Sequence, residues 1–164
     1  MTEAAAMHPN AGAVASAARR HGVEIVVHEY PAGTRTAADA AAAVGVDVAQ
    51  IVKSLVFRVD DRVVLALVSG SNRLDEARLA AAAGGGAVRR VDAETVRDAT
   101  GYPIGGVPPF GHRGTLPAFV DEDLLAFDEV WAAAGTPRHV FPIAPADLVR
   151  LAAAAPAALA LPPG

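Results

Sequence analysis

Cysteine is absent from the 164-residue sequence, and its absence removes several kinds of chemistry. Without thiols the chain has no disulfide, no thiolate nucleophile and no Cys-ligated zinc. The longest apolar run, 63–68, is far below the roughly 20 residues that span a bilayer. The first ten residues, MTEAAAMHPN, lack the basic segment and apolar core of a secretory signal. We therefore expect a soluble, cytoplasmic protein that does not associate with membranes.

Excess positive charge is also absent, since the net charge is −4 and the pI is about 5.7. A broad nucleic-acid groove needs a basic surface, so DNA is not expected as a partner and any contact with RNA should be short. The histidines form no HxxxH or HxH pair; they are His8, His21, His28, His112 and His139. We therefore predict no metal site and no cofactor.

Lysine is almost absent, because Lys53 is the one Lys among 14 basic residues. Lys is a compact point charge that shifts its pKa more readily than Arg does, so a Lys kept at one position fits a functional role. A biased composition that leaves one Lys by chance explains the same count. Composition does not decide between these two interpretations.

The order of the predicted elements indicates a single α+β domain over residues 1–164, with flexible tails at about 1–9 and 155–164. Capping residues and periodicity predict helices over 11–20, 36–44, 72–83, 92–100 and 145–153. Strands are predicted over 23–29, 52–59, 62–69, 87–91, 115–120, 127–132 and 139–143. Asp60 and Asp61 join the second and third strands into a hairpin. This order favours a curved, largely antiparallel sheet or small barrel surrounded by helices.

Lys53 lies near the start of a predicted strand, on the face that also carries Leu55, Phe57 and Val59. This face is the more apolar one, so we expect it to face the core. Burying an ammonium costs several kcal/mol unless the charge is paired. Lys53 is therefore expected either to snorkel from the end of the strand or to face a cavity that receives a substrate oxygen.

A loop rich in Gly and Pro runs from Gly101 to Gly114. Long loops in compact domains are uncommon unless they have a function. Glycine lets the backbone approach a ligand, and free N–H groups can bind a developing oxyanion. The alternative is an ordered surface loop without a ligand. The sequence has neither the GxxxxGK[ST] phosphate loop nor the GxSxG motif of serine hydrolases.

Several segments together resemble the YbaK/ProX aminoacyl-tRNA deacylases, relatives of the editing domain of bacterial prolyl-tRNA synthetase. They are QIVKSLVF at 50–57, LD at 74–75, TGY at 100–102 and GGVPPFG at 105–111, and the resemblance covers about 21–151. It implies a mixed, barrel-like fold surrounded by helices. It also implies that the protein hydrolyses a wrong amino acid from the 3′ end of tRNA without a metal.

The resemblance also implies a set of site residues. The family's lysine falls on Lys53, its GxxxP loop on 105–109, its early aromatic on Tyr30 and its next hydroxyl residue on Ser54. We predict Lys53, Gly105 and Gly106 as catalytic, with loop N–H groups polarising the ester carbonyl and a positioned water as nucleophile. The predicted substrate-binding residues are Tyr30, Ser54, Phe57, Val107, Pro108, Pro109, Phe110, Gly111 and His112. A small pocket near Tyr30, Phe57 and Val107 is expected to admit Ala, Ser, Thr or Cys.

The partner that the resemblance implies is the 3′ acceptor end of an aminoacyl-tRNA, bound by a monomer or weak dimer. A synthetase such as prolyl-tRNA synthetase is a further candidate partner. The YbaK branch that clears cysteine carries a Ser-Gly-Gly segment and a late Asp, whereas this chain has AAGTP at 133–137, so cysteine specificity is not expected. Two alternatives are a non-catalytic module that binds an aminoacyl-tRNA end or a synthetase, and a Schiff-base enzyme that uses Lys53.

Overall fold

Helices and two small sheets make up the computed structural model, which describes residues 8–30, 33 and 36–162. The helices are α1 (Pro9–Arg19), α2 (Ala37–Val44), α3 (Glu76–Ala82), α4 (Ala93–Thr100) and α5 (Pro145–Ala152). The strands are β1 (His28–Glu29), β2 (Val52–Val59), β3 (Arg62–Ser69), β4 (Val88–Arg90), β5 (Ala118–Asp121), β6 (Val130–Ala133), β7 (His139–Ile143) and β8 (Ala154–Ala157). The predicted α+β class is confirmed. No helix within these ranges is long and apolar enough to cross a membrane.

The larger sheet has five strands in the order β4-β2-β3-β5-β8. Strand β2 runs antiparallel to β3 and β4, whereas β3 with β5, and β5 with β8, are parallel pairs. The smaller sheet has the antiparallel order β1-β7-β6. A parallel bridge between Ile51 and Trp131 links the two sheets. The predicted mixed sheet is therefore present, and its antiparallel part surrounds β2.

Local sequence signals predict the element boundaries well where a helix cap or a tight turn defines the boundary. The predicted β2–β3 hairpin is confirmed residue by residue, from Val59 opposite Arg62 to Val52 opposite Ser69. Helix α2 begins where the Thr36 hydroxyl accepts the Asp39 N–H at 3.0 Å. Helix α4 begins in the same way, with the Asp92 carboxylate accepting the Thr95 N–H at 2.8 Å. These caps satisfy N–H groups that the helix itself leaves unpaired.

Strand β2 is covered on both faces, which corrects the prediction that the Lys53 face is the core face. Val52 and Val56 face the larger apolar cluster, which also contains Val107 and Phe141. Phe57 and Val59 face a second cluster that includes Leu79 of α3. The predicted alternation is right, but the larger core lies on the face opposite Lys53.

The predicted strand over 23–29 is shorter in the structure. Val23, Ile25 and Val27 pack against the larger cluster in alternation with exposed neighbours, as in a strand. Only His28 and Glu29 have a paired strand, because β7 lies beside those two residues alone. The predicted strands over 115–120 and 127–132 likewise begin later, at Ala118 and Val130.

Two further predictions are corrected. The helix predicted over 72–83 begins later, because Asp75 caps α3, and the Asn72 side chain donates to Asp121 instead. The expected tail over 155–164 joins the sheet as far as it is described, since β8 pairs with β5 and Leu159 is completely buried. Pro156 is tolerated there because β8 is an edge strand. Residues 1–7, 163 and 164 of the predicted tails lie outside the described residues.

One edge of β2 lies open beside the smaller sheet. Strand β4 pairs with β2 only at 57–59. The Gly70 N–H donates to Ile51 O, and the Asp60 N–H donates to Ala87 O. The backbone N–H and C=O groups of odd-numbered β2 residues therefore bond to β3, and those of even-numbered residues point toward the opposite edge of β2. The backbone groups of Ser54 and Val56 therefore face the open edge.

Candidate active site

A cleft of about 1080 Å³ opens along the free edge of β2. Its walls come from β2 itself, the start of α2, strand β6, the segment from Gly70 to Glu76 and part of the Gly/Pro loop. We call the loop over 101–114 the glycine–proline loop. Lys53 and this loop therefore line the same cavity.

The Lys53 side chain is partly buried on one wall of the cleft. Its Nζ donates a hydrogen bond of 2.5 Å to the backbone carbonyl of Asn72. Burial lowers the pKa of the ammonium, the Asp121 carboxylate opposes this by raising that pKa, and Arg73 lowers it further. Lys53 is thus a partly desolvated cation that a backbone carbonyl holds in place, with the charge of Asp121 favouring its protonated form.

Asn72 is itself fixed by two carboxylates. Its Nδ2 donates to Asp121 Oδ2 and to Asp123 Oδ2, both at 2.8 Å. Asp121 is only 1% exposed and also accepts the N–H groups of Ser69 and Asp123 at 3.1 Å. We call Lys53, Asn72, Asp121 and Asp123 the lysine network.

Sequence reasoning missed the lysine network, because its members come from segments that lie far apart along the chain. Asp121 also caps a 3-10 turn over Glu122–Ala126. The available signal was position: Asp121 directly follows the apolar residues Ala118 to Val120, so its carboxylate lies at the end of a buried strand. A buried carboxylate needs partners, and the Asn72 amide and the N–H groups of Ser69 and Asp123 supply them.

The glycine–proline loop is packed into the protein. Val107 and Phe110 are each 4% exposed, and the Phe110 ring lies edge-on against Phe141. His112 Nε2 lies 2.6 Å from Pro108 O, and the Tyr102 hydroxyl donates to Gly111 O at 3.2 Å. Since a carbonyl can only accept, Nε2 carries the proton. The loop is therefore held from inside by side chains.

The two glycines predicted as catalytic differ in their backbone roles. The Gly106 N–H donates to Pro103 O at 3.0 Å, so it is not available to a substrate, which corrects its predicted role as a donor. A Cβ on Gly106 would lie 2.6 Å from Thr136 Cα, so the loop can approach the 134–137 turn only with glycine there. The N–H groups of Gly105 and Val107 have no acceptor within the described ranges, and both residues line the cleft.

Two buried side-chain polar atoms lack a hydrogen-bond partner among the described residues, Ser54 Oγ and Trp131 Nε1. Both residues line this cleft. Buried polar atoms in native proteins are nearly always paired, so an unpaired one calls for an explanation. A polar ligand in the cleft provides one.

The cleft brings together part of the predicted set. Its lining includes Lys53, Ser54, Phe57, Gly105 and Val107. It does not include Tyr30, Gly106, Pro108, Pro109, Phe110, Gly111 or His112. Of the three residues expected around a small pocket, Phe57 and Val107 line the cleft, whereas Tyr30 packs into a separate apolar cluster. The buried loop residues act by shaping the loop, and sequence spacing alone does not separate that role from direct contact.

Metal ligands are not grouped in the part of the chain that the structure describes. No three His, Asp or Glu side chains there are arranged to hold an ion. Among the described residues, the charged ones that line the cleft are Lys53, Arg73, Arg90 and Glu76.

Comparison with known sequences identifies the family. The sequence model of the aminoacyl-tRNA editing domain matches residues 31–151, which is most of the chain. The chain belongs to the aminoacyl-tRNA editing domain family. The predicted resemblance is therefore confirmed, and the matched range contains Lys53 and the whole glycine–proline loop.

The relatives of this chain include a protein of similar length and parts of much longer synthetases. The chain is 32% identical over 123 residues to the uncharacterized protein YwhH of Bacillus subtilis, covering 74% of this chain and 78% of that protein. It is 28% identical over 121 residues to the proline–tRNA ligase of Pelotomaculum thermopropionicum, covering 74% of this chain but 21% of the ligase. The chain thus corresponds to about a fifth of that enzyme.

Solved structures share the whole fold. A crystal structure described as that of a candidate trans-editing enzyme for prolyl tRNA synthetase is 49% identical, with a TM-score of 0.89, covering 94% of this chain and 99% of that one. A scaffold protein used for computational grafting of epitopes is 44% identical, with a TM-score of 0.88 and the same coverage.

Proposed function

We propose that this protein is a trans-acting aminoacyl-tRNA deacylase, which hydrolyses the ester between a wrongly attached small amino acid and the 3′ end of a tRNA. The observation that carries the proposal is that Lys53 and the glycine–proline loop line one cleft. Family membership supplies the substrate class, and the cleft supplies a cation, two backbone donors and an unpaired hydroxyl.

The reaction needs stabilisation of an oxyanion more than a strong protein nucleophile. A water attacks the ester carbonyl carbon, and the N–H groups of Gly105 and Val107 donate to the developing oxyanion. The bond to the ribose oxygen then breaks, and the water's proton passes to that oxygen. The products are the free amino acid and the intact tRNA. The ammonium of Lys53 contributes a fixed positive charge beside the reacting ester.

Ser54 is proposed to contact the aminoacyl group. Its hydroxyl is buried on the cleft wall without a partner among the described residues, so a bound substrate can satisfy it. A neutral hydrogen bond of this kind contributes about 0.5–1.5 kcal/mol. Val52, Val56 and Val107 surround this wall with apolar surface, which suits a small side chain.

We propose that hydrolysis is metal-independent. The donor set supports this proposal, since the sequence has no Cys and the described residues contain no three-ligand group. Activity should survive EDTA. Loss in EDTA followed by recovery with a divalent ion would contradict the mechanism.

The substrate search should begin with tRNA specific for proline, because several relatives are proline–tRNA ligases. Deacylation should be measured against that tRNA carrying Ala, Ser, Thr, Cys or Pro. Release of one small amino acid, with prolyl ester spared, is the expected result. Hydrolysis of none of them above the enzyme-free rate, together with retained binding, would indicate a non-catalytic binding module. A prolyl-tRNA synthetase added to the assay tests the candidate partner.

A further inference from the structure

The cleft has a charge balance opposite to that of the whole chain. The full sequence carries a net charge of −4. Within the part of the chain that the structure describes, the cleft is lined by the cations Lys53, Arg73 and Arg90 and by one carboxylate, that of Glu76. Cations gathered in a cavity of an acidic protein favour an anionic ligand there.

Arg73 extends the positive region from Lys53 toward the solvent. It directly follows Asn72, whose backbone carbonyl accepts a hydrogen bond from the Lys53 ammonium. The Arg73 side chain is exposed, and no carboxylate lies within ion-pair distance of it in the described part of the chain. Its guanidinium can therefore bind an anionic ligand without breaking an ion pair within the described part of the protein.

Arg90 adds a third cation farther along the same edge. It ends β4 directly opposite Phe57, so its side chain shares the sheet face of Phe57 and Lys53. Phe57 is four positions along β2 from Lys53, which corresponds to about 13 Å at roughly 3.3 Å per residue. The two positively charged ends are thus far enough apart to contact different phosphates of one strand.

Two exposed apolar side chains line the same cleft. Ile104 is 55% exposed and Leu161 is 45% exposed. Apolar contacts beside separated cations suit a nucleic-acid strand, which presents base faces and phosphates together. The match to the aminoacyl-tRNA editing domain favours RNA over an acidic peptide as the source of this chemistry.

We infer that Arg73 and Arg90 bind the phosphodiester backbone of the single-stranded RNA end that brings the aminoacyl ester to Lys53. This assignment rests on the proposed function and names the residues that contact the RNA. Each arginine neutralises one phosphate, so the chain needs few contacts despite its negative charge.

The sequence offers a matched control for each arginine. Arg89 is exposed and adjacent to Arg90 but faces the other side of β4, and it does not line the cleft. Arg78 is exposed, lies outside the cleft and pairs with Asp75 at 3.5 Å. The variants Arg73→Gln, Arg90→Gln, Arg89→Gln and Arg78→Gln remove the same charge at the surface, and thermal melts check that each folds.

The measurement is the salt dependence of binding to a hairpin RNA with a single-stranded CCA end that carries amide-linked alanine. Each lost phosphate contact reduces the slope of log affinity against log salt by about 0.7, which is about fivefold in affinity at 0.1 M salt. We expect this reduction for Arg73→Gln and Arg90→Gln, no change for the two controls, and little binding to a hairpin lacking the single-stranded end.

Unchanged slopes for Arg73→Gln and Arg90→Gln would overturn the inference, as would equal losses in the control variants. Hydrolysis of aminoacyl-tRNA by these variants at the unaltered rate and KM would leave the deacylase proposal intact while rejecting the arginine assignment. If the slopes change as expected but neither the wild type nor any variant hydrolyses aminoacyl-tRNA, the RNA contacts are retained and the deacylase proposal is rejected.

Discussion

The lysine network and the glycine–proline loop hold their functional groups in different ways. The lysine network fixes a charge with other polar groups, since Asn72 connects Lys53 to the 1% exposed carboxylate of Asp121. The loop fixes backbone N–H groups by shape, with Gly106 against Thr136 and with Val107 and Phe110 in the core. The first arrangement should respond to changes of charge and the second to changes of volume.

The largest expected effect comes from adding volume to the loop. In Gly106→Ala the new methyl group would lie 2.6 Å from Thr136 Cα, and backbone cannot move aside as a side chain does. We expect a loss of about 1–3 kcal/mol in the free energy of unfolding. Deacylation should also fall by at least about tenfold, because the Gly105 and Val107 donors are displaced.

The control for this volume change is Gly114→Ala, in the same loop. Its Cβ would have only one neighbour within 4 Å, Ala99 O at 4.0 Å. Denaturant unfolding and single-turnover rates should both match the wild type. Equal behaviour of the Gly106 and Gly114 variants would show that the close approach to Thr136 is not needed.

A change of charge should act on the lysine network. Asp121→Asn removes the carboxylate that raises the pKa of Lys53, so that pKa should fall further below its ordinary value. The protein has a single Lys, so lysine-selective isotope labelling gives an NMR titration of this side chain alone. The amide also turns an NH2 group toward a donor, which should cost about 1–3 kcal/mol of stability.

Glu122→Gln is the control for Asp121→Asn, because it removes the same charge from an exposed neighbour. It should leave the Lys53 titration and the rate nearly unchanged, whereas Asp121→Asn should slow deacylation by about tenfold. An unchanged Lys53 pKa in Asp121→Asn would show that Asp121 does not stabilise the charged form of Lys53.

A smaller effect is expected at Ser54, which belongs to neither region and faces the cleft between them. Ser54→Ala should lower kcat/KM by roughly two- to tenfold, the equivalent of one neutral hydrogen bond. The same variant should be more stable by about 1 kcal/mol, since an unpaired buried hydroxyl is removed. Ser54→Thr keeps the hydroxyl and should retain most of the activity. A fully active Ser54→Ala protein would place the aminoacyl group elsewhere.

The smallest effect is a pH dependence in the loop. Burial lowers the pKa of His112 below its ordinary value, although its hydrogen bond to Pro108 raises it in part. The unfolded chain then binds more protons than the folded one as pH falls through the ordinary value, so stability decreases there and levels off below the lowered pKa. The slope from one histidine is at most about 1.4 kcal/mol per pH unit.

His112→Gln should remove part of this slope in urea unfolding measured between pH 7 and 5. His139 contributes in the same direction, because burial lowers its pKa as well. A double variant with His139→Gln should be flatter still. A slope unaffected by His112→Gln would mean that its protonation is not linked to folding.

The sequence predicts this fold best where a local interaction decides the structure. The β2–β3 hairpin and the Thr36 and Asp92 caps follow from residues within a few positions of each other. Strand β8 does not, because its Ala and Pro residues carry no strand signal and pair only when β5 lies beside them. The segment 23–27 shows the reverse case, with the correct side-chain alternation but no neighbouring strand.

The residues of the site also differ in whether a local sequence feature or a long-range contact reveals them. Lys53 and the GxxxP loop are recognisable from a short motif each. Asp121 lies 49 residues from Asn72 along the chain, and the role of Arg90 depends on its register opposite Phe57. These partners meet only in the tertiary structure, and the spacing of residues along one sequence does not predict which of them meet. The role of Gly106 as a close-packing residue is likewise visible only against Thr136.

The central claim is that Lys53 supplies the positioned charge of a deacylase site, and single-turnover deacylation of Lys53 variants tests it most directly. Lys53→Ala removes the charge, while Lys53→Arg replaces a compact ammonium by a planar fork that cannot make the same contact with Asn72 O. With thermal melts showing both variants folded, the account predicts that each loses at least about tenfold in rate, or roughly 1.4 kcal/mol of barrier. A Lys53→Arg protein with the full wild-type rate would contradict it.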